Sequence, residues 1–231
     1  MTALVKLLVI TADDFGISRG VNRGIVEAHR QGILTSTSLM VYRPAAVEAA
    51  ALGRDCPALS VGLHLELDPG GMADVPAELD RQLGRFTELL GAPPTHVDSH
   101  HDVHKNPRVL PHMRAWADRL GVPLRGYSHV RHFPKFYGQW GGETHLEQVS
   151  VEGLLRLLDA ELALGVTELT CHAGYVDSDL VSSYTVEREA ELRTLCDPRV
   201  RPALAERGIR LVGFRDLAAV AAALSVPEGA A

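Results

Sequence analysis

The feature that most constrains the fold of this chain is a regular alternation of short apolar runs with helical patterns. The apolar runs have the length of β-strands and are Leu4–Ala12, Thr35–Val41, Ser60–Leu67, Thr95–Asp98, Val122–Arg125, Thr167–Cys171 and Ile209–Val212. The intervening segments repeat apolar residues every three or four positions, as in Ser18–Gln31, Ala77–Leu90 and Val151–Leu164, and a last helix is expected at Asp216–Leu224. About seven strands that alternate with helices favour a parallel sheet covered by helices. We therefore predict an α/β fold, a distorted (β/α) barrel first and a doubly wound open sheet as the alternative.

Composition excludes several classes of protein. The chain has 231 residues, a net charge of −6 and 46% hydrophobic residues, which is typical of a globular protein and unlike a nucleic-acid-binding module. The three cysteines are widely spaced, so neither a disulfide framework nor a zinc ribbon is expected. Dinucleotide-binding and phosphate-loop glycine motifs are absent from the sequence. We expect one domain over residues 1–231, in the cytoplasm, with no membrane or nucleic-acid partner.

Acidic and histidine residues follow several of the predicted strands. They are Asp13, Asp14, His64, the cluster from Asp98 to His104, and His172, in a chain with 11 histidines. Each has an ordinary explanation when taken alone: a helix cap, a core histidine or an exposed polar turn. In a parallel barrel, however, the carboxyl ends of all strands meet on one face, where such folds place their active sites. Together these residues predict a site for a divalent cation with a position open to water.

The segment Gly126–Thr144 is the longest irregular stretch and contains several aromatic residues. They are Tyr127, Phe133, Phe136, Tyr137 and Trp140. Long connections in compact domains are often functional, so these rings are candidates for stacking on a sugar. Closure of the barrel and a subunit interface are equally good explanations, and the sequence does not separate them.

Blocks of sequence along almost the whole chain resemble the YdjC-like carbohydrate deacetylases. The first is Thr11 to Ser18, followed by Gly32 to Ser38, Gly62 to Leu65, Thr95 to His104, Cys171-His172 and the tail from Arg207 to Asp216. The blocks occur in the family's order, although the segment after Leu67 is short. The resemblance implies a distorted (β/α) barrel that removes acetyl groups from N-acetylated sugars such as chitooligosaccharides.

The resemblance also implies roles for five residues. Matched by motif, the metal ligands are Asp14, His64 and His100, the catalytic base is Asp13, and the general acid is His172. His104 competes with His100 for the third ligand position, because their spacing resembles the H-x-x-x-H pair of NodB-type deacetylases. One divalent ion, Mg²⁺ or Zn²⁺, is the implied cofactor, and it would acidify the attacking water. The expected partner is an N-acetylated sugar, and a homodimer is one option for the oligomeric state.

Two other functions stay open at this point. The first is a metal-dependent hydrolase of a phosphoester or of an amide outside sugars, because the aspartate and histidine set does not select a substrate. The second is a non-catalytic sugar- or metal-binding protein on the same fold.

Overall fold

The computed structural model of the chain describes residues 5–68 and 74–220. Within these ranges the strands are β1 Lys6–Phe15, β2 Ser36–Leu39, β3 Ser60–Leu65, β4 Val97–Ser99, β5 Arg131–Phe133, β6 Gln139–Trp140, β7 Glu143–Thr144, β8 Gly165–Cys171 and β9 Ile209–Leu211. The α-helices are α1 Arg19–Gln31, α2 Ala46–Arg54, α3 Val75–Leu90, α4 Leu110–Leu120, α5 Val151–Glu161, α6 Val186–Leu195 and α7 Val200–Glu206. No helix in the described ranges is both long enough and apolar enough to cross a membrane.

Seven of the strands form one curled parallel sheet. Its order is β4-β3-β2-β1-β8-β5, and β9 lies beside the first residues of β1. Leu124 adds a single parallel bridge to Val97 on β4, so the chain between Leu124 and β5 connects the two edges of the sheet. The helices pack on the outside, and the prediction of a distorted α/β barrel with about seven parallel strands is confirmed.

Side chains alternate along the central strand β1. Leu8 and Ile10 belong to the main core with the helices, whereas Leu7 and Val9 pack with Phe214 in a smaller cluster. This alternation follows from the two-residue period of a strand. Thr11 and then Asp13 follow Val9 on the same face of the strand. The apolar base of the barrel therefore gives way to charged residues towards the carboxyl ends of the strands.

The structure differs from the sequence prediction in a few segments. β1 continues through the two aspartates to Phe15, and the predicted strand Val122–Arg125 contributes only the bridge at Leu124. The segment Gly126–Thr144 contains β5 and the antiparallel pair β6–β7, which were not predicted because each has only two or three residues and no apolar run. The end of the predicted helix Asp216–Leu224 and part of the short segment after Leu67 lie outside the described residues.

Candidate active site

The five residues assigned from the sequence lie around one cavity at the carboxyl ends of the strands. Asp13 and Asp14 stand near the end of β1, His64 near the end of β3, His100 directly after β4 and His172 directly after β8. All five line a cavity of about 530 Å³. The structure therefore brings together residues up to 159 positions apart, as the topology of a parallel barrel predicts.

The arrangement of Asp14, His64 and His100 fits a metal ion. Oδ1 of Asp14 lies 3.2 Å from Nδ1 of His100 and 3.6 Å from Nε2 of His64. Ligand atoms about 2.1 Å from a shared ion, at tetrahedral or octahedral angles, are about 3.0–3.4 Å apart. Within the part of the chain that the structure describes, this buried oxygen makes no hydrogen bond of regular geometry. An ion between the three groups would satisfy it.

The backbone is strained at Asp14 and directly after His100, two of the proposed ligands. Asp14, His101 and Asp102 have φ angles of 68°, 54° and 55°, in the left-handed region that residues other than glycine rarely adopt. Such strain persists only where surrounding contacts enforce it, and it is common at functional sites. At Asp14 it interrupts the strand alternation. At His101 and Asp102 it turns the chain sharply after His100.

A carboxylate behind His64 fixes the orientation of its ring. Nδ1 of His64 lies 2.6 Å from Oδ1 of Asp98, so Nδ1–H donates to Asp98 and Nε2 points to the ligand cluster. Burial lowers the pKa of His64, but the surrounding carboxylates, Asp98 foremost, raise it well above 6.5. The position therefore attracts positive charge, either a proton on the ring or a metal ion at Nε2.

A buried arginine holds the other oxygen of Asp14. Nη2 of Arg188 donates to Oδ2 of Asp14 at 2.6 Å. Burial raises the pKa of Asp14, but its contacts with the two imidazoles and with Arg188 outweigh burial and bring the pKa well below 3.8. Asp14 is thus an ionised carboxylate with one oxygen engaged and one directed at the imidazoles.

A second buried arginine binds the proposed base. Nη1 and Nη2 of Arg125 each donate to one oxygen of Asp13 at 2.7 Å, which gives a bidentate pair. Nη2 also lies 2.6 Å from Asp98 and 3.0 Å from Glu168. Asp13 is therefore held in one orientation, and one of its oxygens lies within 4.8 Å of a ring nitrogen of His64.

His172 lines the cavity with an imidazole that has few polar contacts. Among the described residues, no partner hydrogen-bonds its buried Nδ1. Its ring meets those of Tyr137 and Tyr184 edge to face, with centroids 5.6 and 5.4 Å away. Burial lowers the pKa of His172 to about 4. The ring is therefore neutral near pH 7 and can gain a proton.

Two further acidic and histidine clusters are less suited to a metal. One consists of Asp13, His64 and Asp98, and the other of His96, Asp98 and Glu168. Arg125 donates to or contacts all three carboxylates of these clusters, so its guanidinium already supplies the positive charge there. In the Asp14 cluster, by contrast, arginine binds only one carboxylate oxygen, and the other oxygen, Oδ1, lies within 3.6 Å of a ring nitrogen of both His64 and His100.

His104, the alternative third ligand, lies apart from Asp14. Its Nδ1 is 2.8 Å from Oγ of Ser99, and that hydroxyl also accepts the His104 backbone N–H. His104 belongs to none of the metal-compatible clusters in the described part of the chain. The geometry favours His100.

The aromatic residues of Gly126–Thr144 have different surroundings, which bear on two of the three explanations that the sequence left open. Phe133 and Phe136 are buried and close the barrel, whereas Tyr137 lines the cavity and stacks on Tyr184 with centroids 4.6 Å apart. Trp140 is 48% exposed and stacks on His145. A sugar in the cavity would meet Tyr137.

Sequence reasoning missed several charged residues of this site. Arg125 ends a predicted strand, so the rule that identified the histidines could have identified it as well. Arg188 and Glu191 lie on α6 among other charged residues and look like solvent-exposed helix positions, yet both are buried. Only their tertiary contacts indicate a role.

Comparison with known proteins determines the family. The model of the YdjC-like proteins matches residues 7–72 and 68–206. A chitooligosaccharide deacetylase of Enterobacter sp. (strain 638) is 36% identical over an alignment of 251 residues, which covers 92% of this chain and 99% of the relative. The chain belongs to the YdjC-like family. A carbohydrate deacetylase of Geobacillus stearothermophilus is 38% identical to this YdjC-like chain over 248 residues, or 91% of the chain and 98% of the relative.

Solved structures share the fold of this chain. A protein of Enterococcus faecalis V583 associated with cellobiose-phosphate cleavage is 29% identical, covers 92% of this YdjC-like chain and 99% of its own, and has a TM-score of 0.80. A family 4 acetyl xylan esterase of Clostridium thermocellum, in complex with a cobalt ion, has a TM-score of 0.61 over 96% of this chain and 93% of its own. It is 14% identical, so this likeness shows the fold alone.

Proposed function

We propose that this YdjC-like protein is a metal-dependent hydrolase that removes the acetyl group from an N-acetylated sugar or oligosaccharide. The observation that carries the proposal is the convergence of Asp14, His64 and His100, with one free carboxylate oxygen, beside Asp13 in a single cavity. Relatives named as carbohydrate deacetylases, which align over almost the whole chain, support the substrate class.

Asp14, His64 and His100 would hold one divalent ion, Mg²⁺ or Zn²⁺. When bound, such an ion acidifies water and stabilises negative charge that develops on the acetyl oxygen. Two imidazoles and one carboxylate suit Zn²⁺ better than Mg²⁺, which prefers oxygen ligands. We therefore favour Zn²⁺ as the ion that this site binds more tightly.

Asp13 is the proposed general base. Each of its oxygens accepts one hydrogen bond from Arg125, which leaves a second lone pair on each oxygen to receive a proton from the attacking water. Because Arg125 holds the carboxylate in one plane, the base needs little reorientation during the reaction.

His172 is the proposed general acid. Expulsion of an amine requires a proton on the leaving nitrogen, and imidazole is the usual donor near neutral pH. Since its pKa is lowered to about 4 in the free protein, His172 has to gain a proton during the cycle before it can pass one to the amine. Tyr137, edge to face with this ring, is placed to border the sugar.

The decisive experiment measures acetate release from N,N′-diacetylchitobiose and a panel of N-acetyl sugars, with the protein loaded with Zn²⁺ or Mg²⁺. We expect acetate from at least one sugar. The double variant Asp14→Ala/His64→Ala should lose both metal and activity, whereas Asp13→Asn should keep the metal and lose turnover.

Matched surface variants control for nonspecific effects. His112→Ala and Asp118→Asn change exposed residues of α4 and should leave metal content and acetate release unchanged. Phosphate release from a phosphoester without any acetate release would identify another hydrolase. Metal binding without turnover on either panel would indicate a non-catalytic binding protein. Either result would refute the proposal.

Three further expectations from the sequence stay predictions. They are one domain over residues 1–231, a cytoplasmic location and a homodimeric state. Size-exclusion chromatography with light scattering measures the oligomeric state directly.

A further inference from the structure

We propose that Arg188 is a positioning residue that sets the orientation of the Asp14 carboxylate and joins it to the peptide of His172. The inference rests on the proposed function, because it assigns Asp14 to the metal and His172 to proton transfer. It adds a residue on α6 for which the sequence motifs assign no role.

The contacts of Arg188 connect three separate chain segments. Its Nη2 donates to Asp14 at 2.6 Å, its Nη1 to the carbonyl of His172 at 3.2 Å and its Nε to the carbonyl of Tyr184 at 3.0 Å. The side chain is 3% exposed, so these bonds form away from bulk water. One guanidinium thus ties the end of β1, the residue after β8 and the loop before α6.

The same helix also holds the peptide group on the other side of His172. Glu191, one turn after Arg188, accepts the backbone N–H of His172 and the hydroxyl of Tyr184. The N–H of His172 therefore bonds to Glu191 while its C=O bonds to Arg188. The peptide groups on both sides of the His172 Cα therefore have little freedom to rotate, which fixes where the imidazole starts.

The position of Asp14 explains why such a lock is needed. Its φ of 68° is unfavourable for an aspartate, so the backbone by itself does not hold the carboxylate in the cavity. Because Arg188 engages Oδ2, the free oxygen Oδ1 faces His64 and His100. Rotation of an unrestrained carboxylate would break this three-atom cluster.

Only arginine can make all of these bonds together. Its guanidinium is planar, with donors in fixed directions, whereas lysine offers a compact charge on a flexible stem. Arg188→Lys should therefore keep positive charge near Asp14 but lose at least one carbonyl bond. This separates the geometric role of Arg188 from its charge.

The test measures affinity for Zn²⁺ alone, by competition with a chromophoric chelator, in the wild type, Arg188→Lys and Arg188→Ala. We expect binding to weaken about 10–100-fold in both variants, as for other groups that orient metal ligands. Guanidinium ion at millimolar concentration should restore part of the affinity of Arg188→Ala by occupying the vacated space. Arg193→Lys, at an exposed position of the same helix, should bind like the wild type.

Circular dichroism and unfolding midpoints establish whether each variant is folded. If Arg188→Ala does not fold, Arg188→Lys alone tests the proposal. If Arg188→Lys binds Zn²⁺ within twofold of the wild type, charge alone suffices and the proposal is wrong. The readout does not depend on deacetylation. Weaker metal binding in the Arg188 variants, together with a wild type that releases no acetate, would sustain this inference and refute the proposed function.

Discussion

Gly62 precedes the proposed metal ligand His64 by two residues, and its lack of a side chain makes room for the ring of His96. A Cβ at position 62 would lie 2.5 Å from both Cε1 and Nε2 of His96 and 2.7 Å from its Cδ2. Ordinary carbon contacts are about 3.5–4.0 Å, so the ring would have to retreat by about 1 Å. We therefore predict that Gly62→Ala destabilises the protein.

The surroundings of His96 determine how much stability Gly62→Ala costs. Its ring stacks on Phe214 with centroids 3.9 Å apart, and it bonds to Ser38 at 3.2 Å and to Thr95 at 2.9 Å. Any retreat of the ring disturbs one of these contacts. Overpacking of this kind typically costs about 1–3 kcal/mol. A loss of about 2 kcal/mol lowers the urea midpoint by roughly 0.7–1 M, at a slope of ~2–3 kcal/mol per M.

Gly84 provides a control with the same chemical change. It lies inside α3, and no described atom lies within 4 Å of a Cβ built there. Gly84→Ala should therefore stabilise the protein by about 0.5–1 kcal/mol, because glycine disfavours the helix. Urea unfolding of both variants, with Gly62→Ala also made in a His96→Ala background, measures the coupling. The steric reasoning fails if Gly62→Ala unfolds within 0.5 kcal/mol of the wild type, or if its cost persists without the ring.

Four further predictions concern charge and metal. Asp13→Asn should reduce acetate release by about 10²–10⁴-fold while the protein stays folded. Arg125→Met should lower the free energy of unfolding in urea by about 3–5 kcal/mol, because it leaves three buried carboxylates without their arginine. Burial lowers the pKa of His96 from 6.5 to about 4. Between these two values the unfolded chain binds a proton that the folded chain does not, so about 3 kcal/mol of stability should be lost as the pH falls to 4. His96→Asn should show a shallower loss of stability over pH 4–6.5. Zn²⁺ at 100 times its dissociation constant should add about 2.7 kcal/mol and raise the melting temperature by roughly 5–11 °C, with no such rise in Asp14→Ala/His64→Ala.

The sequence predicts which residues form the site better than it predicts the contacts between them. Asp13, Asp14, His64 and His172 could be assigned because each stands near the end of a strand, and strand ends are evident from local apolar patterns. His100 and His104 could not be separated in this way. Their four-residue spacing suggests one helical face, but the chain forms a 3₁₀ turn with two residues at positive φ between them. The helical period therefore does not apply, and the two imidazoles have different partners.

Arg188 shows why the buried charges could not be predicted. In the sequence it stands in a run of alternating acidic and basic residues that is typical of an exposed helix. Its partner Asp14 is 174 positions away, so the burial of both depends on how α6 packs against the end of β1. No local pattern contains that information. The same holds for Arg125, whose bond to Asp13 spans 112 positions.

The balance of these charges gives the strongest physical argument for a cation at Asp14. Burial raises the pKa of Glu168, and it raises that of Glu191 to about 8, so both carboxyls tend towards the neutral form. Asp14 has a pKa well below 3.8 and stays ionised. Arg125 compensates the charges around Asp13, and Arg188 reaches only one oxygen of Asp14. The remaining negative potential is concentrated at the other oxygen, where two imidazoles converge. A divalent ion held here by Asp14, His64 and His100 would supply positive charge in place of a proton on His64, and it would therefore lower the electrostatic cost of burying the aspartates so close together.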